Sequence, residues 1–336
     1  MTKKRPESVR KYHVAIVGAT GAVGQQVRMI LEDESPLQIA KLSLIGSEKS
    51  LGTKIAFQQQ ECVIEGVGEF DFTGVDLVFF CTSNAVSKKY VPLALQSNAI
   101  VIDKSSEYRM QQDVPLVVPE VNGNLLQQYE SQTLAGWNRL IANPNCVAIP
   151  LAIVLHACSL PILRANVSTY QSVSGLGNDA LRDFMYEARQ VVSDVQCDAK
   201  YAFTLNECIG NVQSNGFSEE ENKIMEETRK ILGYDFELAV QCVRVPVFVS
   251  HCVSLFVELA EDISTEELIE HLHEGGVAVY DSVNPQFAQS NDGVFISRVR
   301  KYAANKFVMW FACNNLRKGA ALNAVEIAET LLLGDS

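Results

Sequence analysis

The segment IANPNCVAIP, residues 141–150, sets Cys146 where a short apolar run gives way to an apolar helix. Backbone N–H groups at a helix start carry partial positive charge, which favours a thiolate and stabilises an oxyanion beside it. The segment reads as a place for a nucleophile, although a cysteine taken alone is more often a small buried apolar side chain. Pro150 moves the helix proper a residue or two beyond Cys146, which weakens that electrostatic help. Three further segments carry groups suited to an anionic, amine-bearing substrate: Arg109 in IDKSSEYRM, Glu220 with Lys223, and Arg244 with His251. Glu220 and Lys223 are neighbours on one helix face, where an exposed ion pair is the simplest alternative. Arg244 and His251 sit in apolar runs, where an unpaired charge is costly, so each needs a partner or a ligand. On one straight strand these two would point to opposite faces, so sharing a site requires a break, which Pro246 can supply.

A second constellation is glycine-rich. Gly18, Gly21 and Gly24 in VGATGAVG follow an apolar strand and open a helix, so backbone and helix start can approach a pyrophosphate. The spacing is GxxGxxG, and such a pattern can also mark only a tight turn. An NAD site carries an acid after the second strand to bond the ribose hydroxyls, whereas here KLSLIG is followed by Ser47, Glu48, Lys49 and Ser50. Hydroxyls and a Lys suit a 2′-phosphate, and Glu48 keeps NAD open.

These groups need elements to position them. From His13 to about Ala142, short apolar runs alternate with helical periodicity, predicting an α/β fold with a doubly wound, Rossmann-type parallel sheet and its ligand at the carboxyl ends of the strands. Residues 167–175, 240–260 and 305–313 are β-branched and aromatic with partial alternation, predicting a separate α+β unit with a mixed or antiparallel sheet. Ser218 and Glu221 form a capping box opening EEENKIMEETRKIL. The expected division is a nucleotide-binding domain over residues 1–143, to which a C-terminal helix within 316–336 returns, and a catalytic domain over 144–315.

Composition fits a soluble globular chain of 336 residues, 47% hydrophobic and 20% charged. A net charge of -12 argues against nucleic acid or an anionic membrane as partner. Nine cysteines without paired CxxC spacing suit reduced thiols in a cytoplasm and no metal site. The basic N-terminus lacks the apolar core of a signal peptide, and no run approaches the roughly 18 apolar residues of a membrane span.

Over nearly its whole length the sequence resembles the aspartate-β-semialdehyde dehydrogenase family, through VGATGAVG, VIDKSSEYRM, VPLVVPEVN, ANPNC, VSTYQSVSG, EEENKIMEETRKIL, CVRVPV with the following His, and NNLRKGAALNAVEIAE in that order. The resemblance implies Cys146 as nucleophile, Asn145 and Gln171 orienting the acyl group, and His251 as general acid/base. It implies Arg109 and Lys223 for phosphate, Arg244 for the substrate carboxylate and Glu220 for its ammonium, with Ser174 and Gly175 also at the substrate. Gly18, Thr20, Gly21, Ala22, Val23, Ser47, Lys49 and Ser50 would bind NADP, and Asn323 would close over it. The implied reaction is NADPH-dependent conversion of aspartyl phosphate to aspartate semialdehyde, in lysine, threonine and methionine biosynthesis, by a homodimer or a tetramer of dimers. The sequence departs from the family at Lys104 and at Cys81 to Asn84, in the cofactor and phosphate neighbourhood, and after Cys146, where Val147 and Ala148 stand in place of hydroxyl residues. The alternatives are a reductase of another acyl phosphate, such as N-acetylglutamyl phosphate, and a catalytically silent dinucleotide-binding protein.

Overall fold

A computed structural model describes residues 10–130, 139–193 and 199–334; most of the basic N-terminal stretch lies outside them. Seven strands form the first sheet: β1 (Tyr12–Val17), β2 (Ile39–Gly46), β3 (Lys54–Phe57), β4 (Gln60–Gly66), β5 (Leu77–Phe80), β6 (Ile100–Asp103) and β7 (Leu140–Ala142), in the order β3-β4-β2-β1-β5-β6-β7. All neighbours are parallel except the β3–β4 hairpin. Helices α1 (Ala22–Asp33), α2 (Asn84–Gln96), α3 (Pro119–Asn122) and α4 (Asn124–Glu130) lie between them in sequence. Every residue of Leu77–Phe80 is buried, as in a parallel strand covered on both faces. The edge hairpin is half exposed and polar, and sequence periodicity did not anticipate it.

The second sheet contains β8 (Ile162–Gln171), β9 (Glu237–Arg244), β10 (His251–Leu259), β11 (Ala278–Tyr280), β12 (Val294–Ala303) and β13 (Lys306–Cys313), in the order β11-β12-β13-β10-β8-β9. It is mixed: β8–β9 and β11–β12 are parallel, the other pairs antiparallel. The remaining helices are α5 (Ala148–Ala157), α6 (Asn178–Ser193), α7 (Glu219–Leu232), α8 (Thr265–Glu274), α9 (Pro285–Gln289) and α10 (Leu322–Leu333). Along β8 buried and exposed residues largely alternate, so this sheet covers one face and bares the other.

Helix α5 explains how the two sheets are joined. All its residues except His156 are buried, so it has no solvent face, and its side chains belong to one apolar cluster with Val78 and Phe80 of the first sheet and Val167, Leu255 and Phe311 of the second. Helix α10 packs Ala324, Val325 and Ala328 with Val27 and Leu31 of α1, and Ser35 Oγ donates to Glu329 at 2.6 Å. No helix among the described residues is long and apolar enough to cross a membrane.

Candidate active site

The carboxyl ends of the first sheet meet one end of the second, and the candidate residues gather there. Gly18 follows β1 with φ +86°, and a Cβ on it would lie 2.4 Å from the Cys81 carbonyl oxygen; one on Gly24 would lie 2.2 Å from that of Gly18. Only glycine permits that backbone and the tight seat of α1 against the loop. Cys81, Lys104 and the Asn143–Cys146 turn follow β5, β6 and β7, so four parallel strands open onto one crevice.

The second sheet supplies the other wall and removes the geometric objection to Arg244 and His251. They are not on one strand: β9 ends at Arg244, the chain breaks at Val245–Ser250 around Pro246, and β10 begins at His251. Strand β8 lies between them, with Gln171 paired to Arg244 on one side and Tyr170 to Cys252 on the other. Gln171, Arg244 and His251 thereby reach the same end of the sheet.

Cys146 Sγ lies 3.4 Å from His251 Nε2. The Ser172 backbone N–H donates to His251 Nδ1 at 3.0 Å, so in the neutral ring the proton sits on Nε2, facing the sulfur. Asn315 Oδ1 accepts from the Ser250 N–H at 2.8 Å and from the Ser172 and Ser174 hydroxyls, bracing both chains around the ring. Burial, then the Arg244 charge, pushes the His251 pKa down to about 3; burial and Glu220 push the Cys146 thiol up to about 12. The thiolate expected from a helix start is therefore corrected. Cys146 precedes α5 by two residues, the Asn145 side chain accepts the Val147 N–H at 2.8 Å, and the ligand-free pair is a thiol beside a neutral imidazole.

Helix α7 carries the opposing charges. Glu220 accepts from Asn145 Nδ2 at 2.9 Å and Gln171 Nε2 at 3.3 Å. Two turns on, buried Glu227, which the sequence reading missed, accepts from Arg109 Nη1 at 2.9 Å and from the Asn145 N–H at 2.6 Å. Arg109 also donates to the Asn143 and Lys104 carbonyls, so its fork is largely engaged within the protein. Arg244 is 6% exposed and donates to the Ser172 carbonyl at 2.7 Å, with no carboxylate partner among the described residues.

Two adjoining cavities share Cys146, Gly175, Glu220 and Lys223 in their walls. The larger, about 370 Å³, runs from Gly21, Ala22 and Val23 past Lys104, Arg109, Asn145 and Ser174 to Gly319. The smaller, about 200 Å³, is lined by Gln171, Arg244 and His251. A Cβ on Gly175 would lie 2.9 Å from Arg244 Nη1, so glycine is what leaves the guanidinium its place. Gly18, Thr20, Ser47, Lys49, Ser50 and Asn323 are not in these walls. Ser47 and Lys49 are exposed beyond β2. Asn323 is fully buried, donating to Asn143 Oδ1 at 2.7 Å while its own Oδ1 has no partner.

The family described as semialdehyde dehydrogenase, NAD binding domain, matches residues 13–129, and semialdehyde dehydrogenase, dimerisation domain, matches residues 154–318. The chain is 37% identical to the aspartate-semialdehyde dehydrogenases of Rickettsia bellii and of Bacillus subtilis, in both cases over 96% of this chain and 98% of the relative. It superposes on aspartate semialdehyde dehydrogenase II from Vibrio cholerae with TM-score 0.89 and 32% identity, covering 96% of this chain and 99% of that one. The same protein complexed with ASA matches with TM-score 0.90 and 32% identity over 97% and 99% of the two chains.

Proposed function

This chain belongs to the aspartate-semialdehyde dehydrogenase family, and on that premise we propose that it interconverts L-4-aspartyl phosphate with L-aspartate 4-semialdehyde and phosphate, using NADP and a thioester on Cys146. In lysine, threonine and methionine biosynthesis the reaction runs toward the semialdehyde. The observation that carries the reading is the 3.4 Å contact of Cys146 Sγ with His251 Nε2, in walls bordering a small polar cavity and a long one.

The smaller cavity suits a four-carbon amino acid. Arg244, buried without a carboxylate of its own, takes the α-carboxylate through its fork, and Glu220 takes the ammonium. Gln171 and Asn145 direct amide groups at the acyl oxygen, with Ser174 and Gly175 shaping the approach. In the phosphorylating direction the Cys146 sulfur adds to the aldehyde carbon to give a hemithioacetal. Loss of hydride leaves the thioester, and a phosphate oxygen held by Arg109 and Lys223 then displaces the sulfur. As the sulfur adds, His251 gives its Nε2 proton to the oxygen that develops charge and receives the thiol proton in exchange; the hydroxyl proton of the hemithioacetal leaves to solvent as the hydride departs, and the proton of the incoming phosphate returns to the departing sulfur.

The residues fit a dinucleotide. Gly18, Gly21 and Gly24 give a backbone cradle with Thr20, Ala22 and Val23 at the start of α1, and a Cβ on Gly319 would lie 3.0 Å from the Cys146 carbonyl oxygen, so glycine lets that wall close tightly behind the nucleophile. Asn323, fully buried and outside both cavity walls, braces the Val117 carbonyl and Asn143 Oδ1 behind the crevice. Exposed Ser47 and Lys49, with Ser50, favour a 2′-phosphate over the bare ribose. When bound, the nicotinamide supplies the redox chemistry, accepting or returning hydride at the carbon attached to sulfur. Outward-facing Tyr170, Phe256 and Tyr302 on the bared side of the second sheet support pairing of two copies, as a homodimer or a tetramer of dimers.

A Glu220 carboxylate has no use for an N-acylated amine, which disfavours the N-acetylglutamyl phosphate reading, and the intact Cys146–His251 pair disfavours a silent nucleotide binder. The test follows cofactor absorbance with aspartate semialdehyde, with and without phosphate, and with each nicotinamide. Cys146→Ala abolishes phosphate-dependent reduction of NADP+, and near-normal turnover by that variant would end the proposal.

A further inference from the structure

Lys104 stands at the carboxyl end of β6, in the wall of the larger cavity together with Arg109, Lys223 and Cys146. Among the described residues its ammonium has neither a hydrogen bond nor an ion pair, although Asp103 beside it is fully buried and bonded to the Ser87 and Ser105 hydroxyls. An unpaired cation in a cavity wall is a site waiting for an anion. Arg109 is less available than its sequence position suggests, because Glu227 and two carbonyls already occupy its nitrogens. Its bond to the Lys104 carbonyl fixes the backbone of residue 104 against the guanidinium.

We propose that Lys104 is a ligand for the phosphoryl group that enters or leaves at Cys146, so that Lys104 and Lys223 meet the anion as mobile ammonium groups while Arg109 serves as the fixed, partly neutralised corner of the site. The proposal rests on the acyl phosphate reading above and adds a residue to it. Lys104 also lies close enough to act on the sulfur, pulling the Cys146 thiol downward against burial. A cation that binds phosphate and favours the leaving thiolate assists cleavage of the thioester from both sides.

The same cavity reaches the α1 loop, so the anion could instead be the pyrophosphate of the cofactor, and the experiment separates the two. Steady-state kinetics of Lys104→Gln and Lys104→Arg are measured with aspartate semialdehyde, varying inorganic phosphate and NADP+ in turn. The expectation for Lys104→Gln is a phosphate KM raised ~10–100-fold, the size of one lost charge-assisted bond, with the NADP+ KM changed less than about twofold. Lys104→Arg restores most of the phosphate affinity. A rise confined to the NADP+ KM would assign the ammonium to the cofactor and overturn the proposal, as would both constants staying unchanged. If the unmodified protein itself shows no phosphate-dependent turnover, the underlying reading fails, an outcome distinct from a saturable enzyme indifferent to Lys104.

Discussion

At the scale of single residues, the resting protonation of Cys146 and His251 decides what their contact can do. A sulfur in a closed cleft beside Glu220 is held as the thiol, and a buried ring near Arg244 is held neutral. With the Ser172 N–H on Nδ1, the ring offers a proton at Nε2 and has no lone pair there to receive one. The ligand-free protein therefore holds no stored thiolate–imidazolium pair. Alkylation of Cys146 by iodoacetamide, followed by mass spectrometry, should accelerate about tenfold per pH unit from neutrality to beyond pH ~9 without levelling, because only the thiolate reacts. A plateau below pH ~8 would show that the ion pair pre-exists. Sequence gave the residue type and the nearby helix but not this protonation, because burial and the ring's backbone partner are tertiary facts.

At the scale of elements, α7 does more than the sequence suggested. Glu220, Lys223, Glu227 and Lys230 lie three or four residues apart, one charged stripe on a helix whose apolar positions are Ile224, Met225, Ile231 and Leu232. Lys230 Nζ donates to the Arg109, Gln111 and Val114 carbonyls at 2.6, 2.7 and 3.0 Å, so the stripe holds the Arg109 loop at one end and, through Glu220, the Asn145 and Gln171 amides at the other. The Ser218–Glu221 capping box forms as expected and Gly233 ends the helix with φ 78°, which sets the register of the stripe. The capping signal and the first two charges were legible. Glu227 was not, although its spacing from Glu220 could have found it, because periodicity does not distinguish a solvated charge from one buried against an arginine of a distant loop. Glu227→Gln leaves Arg109 as an uncompensated buried cation and should cost about 3–5 kcal/mol in urea unfolding. Combined with Arg109→Met, the loss should fall well short of the sum of the single effects; additive losses would show that the pair is not coupled.

At the scale of the whole molecule, the site exists because α5 binds two sheets into one core and brings parallel strand ends to face the row formed by Gln171, Arg244 and His251. The central strands β1, β2, β5 and β6 of the first sheet were legible from their alternation with helical runs, and its polar edge hairpin was not. The break between β9 and β10 was foreshadowed only by Pro246, and β11 and β12 went unread because their short or irregular runs lack a clean period. Building the cleft at this seam buries His251 at 2% exposure, and that has a cost that varies with pH. The folded ring stays neutral until about pH 3 while the unfolded ring takes a proton near its ordinary value of 6.5. Between those values the unfolded chain binds more protons, so this residue makes stability fall as pH drops, an effect absent above the unfolded pKa. Buried carboxylates with raised pKa, such as Glu227 and Asp103, act in the opposite sense, so the histidine must be isolated by difference. Unfolding free energies of the protein and of His251→Asn, compared from pH ~6.5 to pH ~4, should shift by about 3 kcal/mol in favour of the variant, following 1.36 kcal/mol per pKa unit. A constant difference across that range would mean that the folded ring takes up its proton as readily as the unfolded one, and the neutral imidazole assigned to the resting site would then hold only above pH ~6.5.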